Sequence, residues 1–169
     1  MLSIRTADLD DAALIAQIYA HHVLHGTASF DTVPPDAAAW HKKIADITAR
    51  GWPFLIAEDD GALLGYAYAT QFRDRPAYAE TCENSIYVAP EHAGHGVGSA
   101  LMAALLPAAT EAGFRQMIAV VGGGEPASIA LHEKFGFTVA GRMRSVGRKF
   151  GRLLDTVYLQ RALDGDEIA

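Results

Sequence analysis

Between Tyr87 and Met102 the chain reads YVAPEHAGHGVGSALM, with glycines at three alternate positions, Gly94, Gly96 and Gly98. Without a Cβ, glycine can take a positive φ and lets another molecule approach the backbone closely. The residues before the turn, Ile86, Tyr87 and Val88, are β-branched or aromatic and predict a strand that Pro90 ends. Those after it place Leu101, Leu105 and Leu106 on one helical face among alanines. A strand, a glycine turn and a helix N-terminus in that order present free amides and a positive dipole end to an anion. The spacing narrows the choice of anion. It is G-x-G-x-G rather than the dinucleotide-binding G-x-G-x-x-G, and no Gly-Lys-Ser/Thr follows to make a P-loop. Taken by itself, the stretch also fits a tight strand-to-helix turn that holds no ligand.

The rest of the chain predicts a mixed α/β order around this turn. Ser3–Thr6 suits a short first strand, and Asp8 or Asp10 can cap a helix carrying Leu14, Ile15, Ile18 and Tyr19 at helical spacing. Pro34, Pro35 and Asp36 open a second helix that ends at Gly51. Phe54–Glu58 and Leu63–Thr70, joined by Asp59, Asp60 and Gly61, read as a hairpin. The helix after the glycine turn runs to Ala112. A strand at Met117–Val121, a helix from Pro126 to Phe135 and two strands near Phe137–Met143 and Leu154–Leu159 complete the order. No repeat or low-complexity linker divides it, so residues 1–169 are expected to form one domain, with a core over about residues 3–161.

Composition excludes several classes of function. No apolar run approaches the ~20 residues of a membrane span, and the N-terminus lacks a signal-peptide pattern. A single cysteine, Cys82, rules out an internal disulfide and a cysteine-rich zinc site, and suits the cytoplasm. The formal net charge of −6 argues against a nucleic-acid partner, so any anionic ligand has to be held by local groups. The run HHVLH, His21 to His25, lacks a carboxylate partner pattern and reads as a helix end, so no metal is expected.

The stretch ASIALHEKFGF, Ala127 to Phe137, together with the glycine turn, resembles the GNAT superfamily of N-acetyltransferases. In that superfamily the acetyl-CoA turn reads Q/R-x-x-G-x-G/A, and a later helix reads N-x-x-S-x-x-L-Y-x-x-x-G-F. FRDRPAYAETCENSIYV (Phe72 to Val88) and VGRKFGRLLDTVYLQ (Val146 to Gln160) are similar to the branch that includes phosphinothricin and methionine sulfone or sulfoximine acetyltransferases. The likeness runs from Ile4 to Gln160. It implies an acyl-CoA N-acyltransferase fold with a central mixed, twisted sheet flanked by helices. It further implies acetyl-CoA as cosubstrate, a small amino-acid-like acceptor and a homodimer. Two positions depart from the pattern. Ala93 stands where Gln or Arg is usual, and Glu125 stands where Asn is usual. Glu125 cannot donate a hydrogen bond as Asn does, but it can cap the following helix, where the dipole favours a carboxylate.

The resemblance assigns roles to particular residues. Around acetyl-CoA it places Ile86, Tyr87, Val88, Gly94, His95, Gly96, Val97, Gly98, Ser99, Glu125, Ser128 and His132, with the amides from Gly94 to Ser99 gripping the pyrophosphate. Glu83 shares a strand face with Ser85 and Tyr87 by the two-residue period. A carboxylate partly desolvated there has a raised pKa and can serve as the base, against the plainer reading of a solvent-facing strand glutamate. His132 falls one turn after Ser128, where it can donate a proton to sulfur, bond the cofactor, or simply pack beside the turn. Cys82 points away from Glu83's face with no histidine to activate it, and is read as a packing residue. Arg73, Asp74, Arg75 and Tyr78, with Asn84 and Ser85, are expected to line the acceptor pocket, because the planar arginine fork suits a carboxylate or phosphinate. Otherwise residues 73–78 are a solvated loop. Arg142, Arg144, Arg148, Lys149 and Arg152 fall in a C-terminal hairpin, from which Lys149 and Phe150 are expected to reach a partner's pocket across a two-fold dimer. The expected reaction is direct transfer in a ternary complex. Acetylation of a protein N-terminus or lysine would need an open groove instead of an arginine-lined pocket. A regulatory acyl-CoA-binding module would not need Glu83.

Overall fold

The computed structural model describes residues 1–163, so positions 164–169 of the expected domain lie outside it. Among the described residues seven strands form one sheet: β1 (Ser3–Thr6), β2 (Phe54–Asp59), β3 (Ala62–Gln71), β4 (Thr81–Val88), β5 (Gln116–Gly122), β6 (Thr138–Lys149) and β7 (Arg152–Ala162). The spatial order is β1-β2-β3-β4-β5-β7-β6, and neighbours are antiparallel except β4 with β5. Four α-helices flank it: α1 (Ala12–His25), α2 (Ala37–Ala49), α3 (Val97–Glu111) and α4 (Pro126–Lys134). This is the element order that the sequence predicts.

Both faces of the sheet are covered, which is why β2 and β3 read as nearly unbroken apolar runs. Phe54, Ile56, Tyr66 and Tyr68 join one core with Ile15, Ile18, Trp40 and Ile44 of α1 and α2. Their alternates, Leu55, Ala57, Ala67 and Ala69, pack on the other side with Leu101, Leu105 and Met117. Large aromatic residues fill the first side, and alanines let α3 lie close on the second.

Local signals set most boundaries. Asp36 caps α2 by accepting from the Ala39 amide at 2.9 Å. At α1 the cap is Asp8, one of the two residues expected, but the α-helix itself starts later. Asp8 accepts from the Asp10 amide at 2.9 Å and forms a capping box with Asp11 around the 3-10 turn Leu9–Asp11, and the α-helix starts at Ala12. Arg5 holds Asp11 there with two 2.8 Å hydrogen bonds and gives a third, also 2.8 Å, to Glu58. The two C-terminal strands run longer than their apolar residues predict. Residues 138–146 of β6 are exposed, yet the strand pairs with β7 as far as Lys149↔Arg152, because ladder bonds come from the backbone.

The feature that creates a site is where pairing stops. β4 and β5 pair only at Thr81↔Gln116, Cys82↔Met117 and Glu83↔Ile118. Beyond that point β4 stays with β3 as far as Val88, and β5 stays with β7 as far as Gly122. The sheet therefore parts into a wedge whose vertex lies at Glu83.

Candidate active site

A cavity of about 290 Å³ occupies this wedge. β4 contributes Glu83, Asn84, Ser85, Ile86 and Tyr87, β5 contributes residues 119–122, and α4 contributes Ser128 and His132. Burial pushes the Glu83 carboxyl above its ordinary value, against an opposing pull from Arg73 and Lys43. Arg73 Nη1 stands 3.7 Å from Glu83 Oε2. Asn84 faces the opposite side of β4 and is buried, as is His132, with Asn84 Oδ1 3.1 Å from His132 Nε2. The other ring nitrogen, Nδ1, lies 2.7 Å from the Ser128 carbonyl oxygen.

The remaining wall was missed by sequence reasoning. It consists of Tyr19, Ala28, Ser29, Phe30 and Asp31, with Thr156 of β7. The Tyr19 hydroxyl donates to Asp31 Oδ2 at 2.5 Å and accepts from Ser29 Oγ at 2.8 Å. Residues 26–33 have no apolar period to mark them. Their signal sits in distant glycines. A Cβ at Gly122 would come within 2.7 Å of the Ala28 carbonyl and 3.0 Å of the Phe30 ring, and one at Gly147 would strike the same ring. Lys149 fastens the loop from below, donating from Nζ to the Ser29 carbonyl at 2.7 Å. Lys149 is therefore buried in its own chain, where the sequence leads one to expect a side chain free to reach a partner. Phe150 is the exposed member of that pair, at 55%.

The glycine turn divides into two kinds of glycine. Gly94 and Gly96 have φ of +78° and +83°, and a Cβ at either would meet no heavy atom within 4 Å among the described residues. Gly98 does not share the positive φ expected of it. It lies in the first turn of α3, where a Cβ would come 3.3 Å from Leu131 Cδ2, so this glycine serves the packing of α3 on α4. The first turn of α3 holds no acidic residue, and Lys134 Nζ reaches Ser99 Oγ at 3.1 Å. Open amides, a dipole end and a nearby ammonium at one place suit a phosphate-bearing ligand.

Comparison with known proteins decides the family. The family model described as Acetyltransferase (GNAT) family matches residues 15–137. The chain belongs to the GNAT acetyltransferase family. It is 48% identical over 166 residues to a phosphinothricin N-acetyltransferase of Alcaligenes faecalis, covering 98% of this chain and 84% of that protein. It is 39% identical over 166 residues to an L-methionine sulfoximine/L-methionine sulfone acetyltransferase of Salmonella typhimurium, covering 96% and 95%. A GNAT superfamily phosphinothricin acetyltransferase from Sinorhizobium meliloti, solved in complex with AcCoA, superposes with a TM-score of 0.93 at 45% identity, covering 96% of this chain and 88% of that one.

Other expected site residues of this GNAT chain sit less centrally. Arg73, Asp74, Arg75 and Tyr78 are exposed and none of them lines the wedge, although Arg73 reaches Glu83 from outside it. The Gln71 side-chain amide donates to the Arg73 and Arg75 carbonyls at 2.7 and 2.9 Å, Tyr78 packs edge-on to Phe72 at 5.5 Å, and Asp74 borders a separate hollow with Asp46 and Arg50. Glu125 occupies the N-cap position of α4, but its side chain makes no capping bond among the described residues. Ile86 and Tyr87 line the wedge, Val88 accepts from His22 Nε2 at 2.8 Å, Val97 is buried and His95 is exposed. Cys82 is fully buried with its thiol pushed up to about 12 by desolvation, which leaves no thiolate to act as a nucleophile. His21–His25 closes α1, as its sequence suggests. Among the described residues no group of His, Cys, Asp and Glu could hold a metal, and no helix is long and apolar enough to cross a membrane.

Proposed function

We propose that this GNAT enzyme transfers the acetyl group of acetyl-CoA to the α-amine of a small amino-acid-like acceptor, of the phosphinothricin or methionine sulfone/sulfoximine class, by direct attack in a ternary complex. One observation carries the reading. β4 bears Glu83 at the vertex of the wedge and runs on through Pro90–His92 into the open glycine turn, so one short stretch of chain joins the candidate base to the candidate anion-binding end. In this scheme the amides of Gly94–Ser99, helped by Lys134, hold the pyrophosphate. Glu83 takes one proton from the acceptor's ammonium. The freed amine attacks the thioester carbon, forming the C–N bond, and collapse breaks the C–S bond as the second nitrogen proton passes to the departing thiolate. The protein supplies positioning and a base, which together account for most of what amine acetylation requires.

The acceptor class rests on charge. A chain of net charge −6 repels an anionic acceptor unless local cations intervene, and Arg73 stands beside Glu83. The names carried by the relatives point to the same class. CoA release measured with a free amino-acid analogue and with its methyl ester tests it. The free acid should be much the better substrate. Arg73→Ala should raise the acceptor KM by about 1.5–3 kcal/mol while the acetyl-CoA KM barely moves. Arg75→Ala should do less, because it is Arg73 that stands 3.7 Å from Glu83. Equal use of acid and ester by the wild type would favour a peptide or simple amine and withdraw the acceptor class. A homodimer joined near the β6–β7 hairpin completes the proposal, supported by the exposed Val139, Met143, Val146 and Phe150. Sedimentation showing a monomer at micromolar concentration would remove it.

A further inference from the structure

His132 has no ring nitrogen to spare. Nδ1 faces the Ser128 carbonyl and Nε2 faces Asn84 Oδ1. A carbonyl oxygen only accepts, so Nδ1 has to carry a proton in every state of the ring. The state of Nε2 then follows from its surroundings. A second proton would create an imidazolium in a residue 4% exposed. The groups placed against the ring are neutral: Ser128 of α4, Asn84 of β4, and Phe137, edge-on at 5.0 Å. Glu83 lies on the other face of β4, Glu133 and Lys134 are exposed, and Lys134 is turned to Ser99. With no carboxylate partner among the described residues, burial pushes His132 toward the neutral form. Nε2 therefore holds a lone pair, and whatever faces it has to donate. Asn84 can do so. A half-turn of its carboxamide exchanges Oδ1 and Nδ2 within the same outline, sending an N–H to Nε2 and the oxygen to Met117 Sδ, which Nδ2 otherwise approaches at 3.3 Å.

We propose that His132 and Asn84 act as one hydrogen-bonded unit in which His132 is a neutral positioning residue, giving Nδ1–H to Ser128 and accepting the Asn84 amide at Nε2, and is not the proton donor to the leaving sulfur. The catalytic consequence rests on the acetyltransferase reading of the cleft. Asn84 is the first residue of β4 beyond its last pair with β5, and α4 stands across the opening. The Asn84–His132 bond thus ties β4 to α4 at the point where strand-to-strand bonds end, directly beside Glu83. It fixes the base's strand while the far side of the wedge stays open for the reacting groups.

Nitrogen NMR of isotope-labelled histidine tests this, the His132 signal being assigned by its loss in His132→Gln. Wild-type His132 should show the Nδ1–H tautomer unchanged over about pH 5 to 8, the range in which an ordinary histidine titrates. Asn84→Asp replaces the donor with an acceptor, so His132 should become an imidazolium that persists at neutral pH. That variant should lose about 10²-fold in kcat with little change in acetyl-CoA KM, because the base's strand is displaced and not the cofactor turn. An Nε2–H tautomer in the wild type, or a ring that titrates within that range, would overturn the proposal, and the wild-type spectrum decides this even if Asn84→Asp does not fold. If wild-type enzyme releases no CoA with any amine, the acetyltransferase reading fails while the spectrum still reports on the His132–Asn84 unit.

Discussion

Glu83 and Asp11 are both carboxylates beside an arginine, yet their environments move them in opposite directions. Burial raises Glu83 despite Arg73, whereas Arg5 hydrogen bonds hold Asp11 below the ordinary carboxylate range. A protonated Glu83 cannot accept a proton, so activity should fall as pH drops through a value above the ~4.3 of a free glutamate. Glu83→Gln should abolish that limb and lower kcat by roughly 10²–10⁴-fold. Stability should respond in the other direction. A carboxyl whose pKa is raised on folding favours the fold below its unfolded value, and that advantage is lost as pH rises through the folded one. At neutral pH the charged Glu83 is a strain on the fold, so calorimetry should find a higher Tm for Glu83→Gln. An equal or lower Tm would contradict a desolvated base. Asp11 contributes stability above the unfolded pKa, lost as pH falls through its depressed folded value. Asp11→Asn should therefore cost about 1–3 kcal/mol in urea unfolding at neutral pH, and much less in acid. Strand parity grouped Glu83 with Ser85 and Tyr87 but left it open to a solvent-facing reading, and it was the family resemblance that singled it out as a base. The Arg5–Asp11 pair was not legible in the sequence, because it depends on how a strand end meets a 3-10 turn.

The glycine turn shows an element read correctly in kind and incompletely in cause. Crowding is the obvious reason to keep side chains out of it, yet a Cβ at Gly96 enters open space. What excludes other residues is the left-handed backbone, which costs an L-residue about 1–2 kcal/mol and a β-branched one more. Gly96→Val should therefore distort the turn and weaken acetyl-CoA binding in calorimetry while circular dichroism reports an intact fold. Gly98→Ala should do the reverse, pressing on Leu131 and lowering stability slightly with affinity near wild type. Matching affinities for the two variants would refute the division of labour between these glycines. The β6–β7 hairpin carries a similar tension, with Phe150 at φ +53° and Gly151 at +72° in its turn. Phe150→Gly should raise the Tm by removing about 1 kcal/mol of strain, and a lower Tm would show that the exposed ring makes contacts that outweigh it. The extra length of these strands and the role of residues 28–31 escaped the sequence for one reason. Each depends on pairing or fit with residues far away in the chain, through backbone bonds in one case and the small size of Gly122 and Gly147 in the other.

At the scale of the molecule the sheet is two slabs, β1–β4 and β5–β7–β6, stitched by three residue pairs. Nothing in local composition announced that seam, since β4 and β5 each read as ordinary strands, and only their register shows that they part. Backbone pairing across the middle is therefore sparse, although side chains of both slabs share the core around Leu101 and Met117. Backbone amides of residues 84–88 and 119–122 that point into the gap have no opposite strand to shield them, so they should exchange hydrogen with solvent far faster than amides bonded within the β2–β3 pair. Acetyl-CoA should slow exchange at those amides first, joining the slabs and adding to their resistance to heat. Uniform slowing throughout the sheet would mean that the slabs already open as one. For this fold, loading with substrate is then also the final increment of its own consolidation.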